Sequence, residues 1–125
     1  MDDIAKKDME QALRDIASMI GRTETAKEKF AQGTSQHTLQ QNRLKALQIA
    51  ASLISKELAA PDAVDCYTEE EMKNALAPLT SLISKSEKAR TKLAQGTWQH
   101  TMLSDNLKAL RIVLPLFAKA LGETK

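Results

Sequence analysis

The chain holds two histidines, His37 and His100, and each lies in one of two nearly identical octapeptides. Residues 31–38 read AQGTSQHT, and residues 94–101 read AQGTWQHT. Imidazole titrates close to neutral pH and is the commonest protein ligand for metal ions. Two imidazoles joined by the amides of Gln36 and Gln99 and the hydroxyls of Thr34, Thr38, Thr97 and Thr101 would make a polar site for a metal or a small ligand. A zinc site needs three or four donors, however, and Asp105 is the only carboxylate nearby. The Glu-x-x-His pairing of di-metal helical bundles is missing as well. A structural role explains both imidazoles better: each falls three residues into a helix, on its inward stripe, where it would hydrogen-bond the opposite turn. Neither metal nor cofactor is expected.

Nucleophilic chemistry has less support still. There is no Gly-x-Ser-x-Gly elbow and no glycine-rich phosphate loop. Cys66 is the single cysteine, so neither an internal disulfide nor a Cys-x-x-Cys metal site can form. No basic residue stands near Cys66 to lower its pKa, and an idle thiol is expected. No residue is assigned a catalytic role, and the protein is read as a non-enzyme.

Positioning these octapeptides is a matter of the 63-residue offset between them. Aligning residues 8–58 with 71–121 needs no gap, and 23 of the 51 pairs are identical. Met9 matches Met72, Ile20 matches Ile83, and Leu44-Lys45-Ala46-Leu47 matches Leu107-Lys108-Ala109-Leu110. We read this as a tandem duplication within one domain spanning 1–125, with residues 59–68 as linker.

Each copy carries apolar residues at 3-4 spacing, the mark of a helix burying one stripe. Met9, Leu13, Ile16 and Ile20 precede the first octapeptide, and Leu44, Leu47, Ala51, Ile54 and Leu58 follow it. Met72, Leu76, Leu79 and Ile83, then Leu107, Leu110, Leu114, Phe117 and Leu121, repeat the pattern. The stripe thins over 23–27 and 86–90, which predicts looser packing near the octapeptides.

Gly33 and Gly96 suit a left-handed position just after a helix, and Thr34 and Thr97 can cap the helix that follows. Phe30, His37, Leu44, Ala51 and Leu58 are also seven apart, so a continuous helix of about 50 residues is the competing reading. Two Gly-Thr breaks at equivalent places favour hairpins. Pro61 should end the second helix, and Thr68 with Glu71 forms a capping box for the third. The expected fold is all-α: an antiparallel up-down-up-down four-helix bundle made of two duplicated hairpins. Pro78 and Pro115 should face each other and kink only the second hairpin, because Asp15 and Ser52 hold those places in the first.

Composition agrees with a helical protein and narrows the partners. Aromatics are 3 % of the 125 residues, and the net charge is +2, too mild to argue for nucleic acid or an anionic membrane. The N-terminus is charged from Asp2, unlike a secretory signal, and no apolar run approaches the ~20 residues needed to span a bilayer. A cytoplasmic protein, monomer or dimer, is expected. Lys85, Lys88, Arg90, Lys92, Lys108 and Arg111 lend the second hairpin basic character, read as a solvated helix face ahead of a nucleic-acid patch. Trp98 replaces Ser35 and either covers the end of the core, the favoured reading, or stands out as an anchor for a partner. The leading function is a protein-binding helical module that uses the turn end, with Gln32, Thr34, Gln36, His37, Gln95, Thr97, Trp98, Gln99 and His100 as candidate residues. A small nucleic-acid-associated regulator is the alternative. A ligand- or metal-binding bundle through His37 and His100 is third.

Overall fold

A computed structural model describes residues 3–59 and 67–122, with side chains from residue 6 onward. They form four α-helices: α1 (Asp3–Glu28), α2 (Ser35–Ala59), α3 (Glu69–Thr91) and α4 (Trp98–Gly122). No strand occurs among the described residues. The 50-residue continuous helix does not form, since the chain leaves helical geometry after Glu28 and after Thr91, positions 63 apart. Pro61, Cys66 and most of the 59–68 linker lie outside the described residues.

The four helices close round one core. α1 packs on α2, α2 on α3, α3 on α4 and α4 back on α1, while α2 also meets α4 across the middle. That diagonal contact widens the buried stripe of α2 beyond a strict 3-4 seam. Leu44, Leu47 and Ile54 are buried as their spacing predicts, and Ala46, Ile49, Ala50 and Leu53 join them. On α4 the buried set is Leu107, Ala109, Leu110, Val113, Phe117 and Ala120, together with Asn106. Ala46, Ala50 and Ala109 are fully buried small residues that cost nothing in helix propensity and leave room for close helix packing. α1 and α3 contribute Ala12, Ile16 and Met19, and Met72, Ala75 and Leu79.

The core stops short of the turns. Phe30, expected on the stripe, is 38 % exposed. At the level where the stripe thins, Thr23 and Ser86 are buried polar residues. The Thr23 hydroxyl meets its need locally, donating to the Met19 carbonyl at 2.8 Å.

Local chemistry sets the helix ends. Thr68 accepts from the Glu71 N–H at 3.0 Å and donates its own N–H to Glu71 Oε1 at 3.0 Å, the expected capping box. Those bonds favour the ionised carboxylate, so the Thr68 N–H, with Lys45 assisting, holds Glu71 below its ordinary pKa. Pro78 and Pro115 both lie inside helices that continue past them. Arg90 donates to Ser104 at 3.4 Å and Arg111 to Glu87 at 2.6 Å, tying α3 to α4.

Candidate functional site

The two octapeptides fold into the same turn. The last α1 and α3 carbonyls accept tight i→i+3 bonds: Lys29 N–H to Ala26 and Phe30 to Lys27, then Lys92 to Ala89 and Leu93 to Arg90. Each helix therefore ends four or five residues before its glycine. Gly33 and Gly96 are not helix terminators, contrary to expectation. They are the third residues of β-turns in which Thr34 and Thr97 donate back to Ala31 and Ala94. Their φ values, +85° and +90°, are the left-handed geometry that position requires. The helix stops earlier because its apolar stripe has already ended; nothing beyond residue 27 holds another turn against the core.

Thr34 and Thr97 then start the next helices. Thr34 Oγ1 accepts from the His37 N–H at 3.2 Å and donates to the Ala31 carbonyl at 2.7 Å. Thr97 repeats both bonds, with His100 at 3.2 Å and Ala94 at 2.9 Å. The cap is the predicted one. What it holds in each histidine is the backbone.

No hydrogen bond or ion pair among the described residues joins one turn to the other, so the expected bond from each imidazole to the opposite turn is not made. His37 and His100 are half-buried in their own turns, while Gln32, Gln36, Gln95 and Gln99 are exposed. No group of three His, Cys, Asp or Glu that could hold a metal occurs among the described residues.

Trp98 departs most from expectation. The favoured reading laid its indole over the end of the core, yet the side chain is 70 % exposed. It is the first residue of α4 and projects at the edge of an α1–α4 groove of about 380 Å³. Asp15, Ser18 and Arg22 line the α1 side, and Met102 and Asp105 the α4 side. Arg22 donates to Ser18 at 2.8 Å, and Asp15 accepts from Gln11 at 3.1 Å. Asp105 makes no such bond to a described residue, so one carboxylate of the groove is uncommitted.

A second groove of about 580 Å³, between α2 and α3, occupies the places 63 residues away. There Leu39 stands for Met102, Asn42 for Asp105, Pro78 for Asp15 and Ser81 for Ser18. Ser35, the counterpart of Trp98, does not line it. The indole and the two carboxylates thus belong to one groove alone. Sequence reading singled out Trp98 by its mismatch with Ser35 but missed Asp15 and Asp105, because adjacency of α1 and α4 is needed to bring them together.

The basic residues of α3 and α4 are partly spent on ion pairs. Lys108 meets Asp8 at 3.3 Å and Arg111 meets Glu87 at 2.6 Å. No helix among the described residues is long and apolar enough to cross a membrane. In comparisons with known proteins, no family model, no curated protein and no solved structure matches the chain.

Proposed function

We propose that this protein is a non-enzymatic binding module, and that its docking site is the α1–α4 groove headed by Trp98. The observation that carries the reading is the 70 % exposure of the only tryptophan, a residue whose large apolar area is normally withdrawn from water. Indoles left exposed beside a groove are typical anchors of protein interfaces. Asp15 and Asp105 line the same groove as the ring and leave it acidic against the single Arg22. The partner that fits is a protein segment bearing a lysine or arginine, which would stack on the indole and pair with Asp105. The scaffold we infer is an antiparallel up-down-up-down bundle of two duplicated helical hairpins. The matching turns, caps and grooves 63 residues apart support that reading.

Because Trp98 is the sole tryptophan, its fluorescence reports the site directly. Crosslinked complexes recovered with wild-type protein should be lost with both Trp98→Ala and Asp105→Lys. Their emission should shift to the blue on reconstitution with wild type as the ring is desolvated. Complexes recovered equally by Trp98→Ala would overturn the proposal.

A further inference from the structure

Where the apolar stripe thins, all four helices line an open recess of about 280 Å³, and several of its polar groups have no protein partner. α1 supplies Thr23, α2 supplies Gln40 and Arg43, α3 supplies Ser86 and α4 supplies Asn106. Only the Thr23 hydroxyl is committed, to the Met19 carbonyl. The Arg43 guanidinium, the Gln40 and Asn106 amides and the Ser86 hydroxyl make no side-chain hydrogen bond or ion pair with any described residue. Asn106 is 8 % exposed and Ser86 7 %, so both are more than nine-tenths buried. No polar side-chain atom among the described residues is sealed away without a partner, so the unpartnered atoms of these groups reach solvent through the recess they line. Water meets these groups, and a ligand that offers them better-placed acceptors than water can take its place.

The electrical balance selects the ligand's charge. Arg22 and Arg43 line the cavity, no carboxylate does, and Arg22 is already bonded to Ser18. Burial pushes the Arg43 guanidinium below its ordinary pKa, the sign of a cation partly removed from water with no counter-charge. The remaining wall is apolar: Met19, Leu82, Met102 and Leu103. Gln40 and Leu103 are 63 residues apart, as are Arg43 and Asn106, so the wall is polar on one side and greasier on the other. The volume lies just below the ~300–1,000 Å³ of drug-sized pockets, so the occupant is small.

From this juxtaposition we propose that the cavity binds a small monocarboxylate with a short apolar tail, its carboxylate on Arg43 and its tail against Leu82, Met102 and Leu103. Asn106 and Ser86 donate to the second carboxylate oxygen. The site is separate from the Trp98 docking groove and stands or falls without it. A phosphate dianion fits less well, because one uncommitted guanidinium and an apolar wall repay little of its desolvation.

Calorimetric titration with octanoate, 1-octanol and inorganic phosphate tests the assignment. Octanoate should bind wild-type protein at least about tenfold tighter than octanol, a ratio within reach of one charge-assisted hydrogen bond. Arg43→Met should abolish that preference while keeping a cooperative helical unfolding transition. In wild type, the Asn106 side-chain amide resonances should shift during the octanoate titration, a readout that needs no variant. Octanoate binding no tighter than octanol, binding unchanged in Arg43→Met, phosphate binding in octanoate's place, or unmoved Asn106 resonances would each overturn the proposal.

Discussion

Single residues fix the turns, and their effects can be measured without knowing any partner. A methyl group added at Gly33 or Gly96 would meet nothing within 4 Å, so crowding is not what demands glycine there. The demand comes from φ of +85° and +90°, where an L-residue pays about 1–2 kcal/mol. Gly33→Ala and Gly96→Ala should each lower stability by about that much in urea unfolding. Thr34→Ala and Thr97→Ala should cost about 1 kcal/mol each, by removing the hydroxyl that caps the next helix. Trp98→Ala is expected to change stability by less than about 0.5 kcal/mol, since the ring is already in water. A large loss would mean the indole packs on the core after all.

Among the elements, α3 offers the clearest pH handle. Glu71 is held below its ordinary pKa, chiefly by the Thr68 N–H, so folding favours its ionised form. A depressed carboxylate contributes stability that is fully present above its unfolded pKa of ~4.3 and fades as pH falls through the lower folded value. The difference in urea midpoint between wild type and Glu71→Gln should therefore shrink as pH is lowered from 6 toward 3. A gap that stays constant across this range would show that the capping box owes nothing to the charge. The prolines give a second test. Pro115 is exposed and interrupts α4 without filling the core, so Pro115→Ala should stabilise the fold, by up to ~3 kcal/mol. Pro78 lines the α2–α3 groove, where its ring also packs, and the gain there should be smaller.

For the molecule as a whole, α2 and α4 carry the largest shares of the buried core. Phe117 and Leu47 are both fully buried, and their cavities cannot collapse between four packed helices. Phe117→Ala should cost about 3–5 kcal/mol and Leu47→Ala about 2–5 kcal/mol in urea unfolding, a large share of the ~5–15 kcal/mol typical of a domain. The surface ion pairs matter far less. Lys108–Asp8 and Arg111–Glu87 join exposed side chains and are worth at most about 1 kcal/mol each in water.

Sequence periodicity was sufficient for the four helices, because a 3-4 apolar spacing admits no other regular structure. The threonine caps and the Thr68–Glu71 box were equally legible, since a cap depends on residues within three positions of one another. The role of Gly33 and Gly96 was legible only in part: positive φ follows from residue type, but where a helix stops follows from where the core stops. The placement of Trp98 and the meeting of Thr23, Arg43, Ser86 and Asn106 were decided by tertiary structure alone. Those features depend on which helices become neighbours and at what register, and a periodic stripe constrains one face of one helix without naming the helix it will meet.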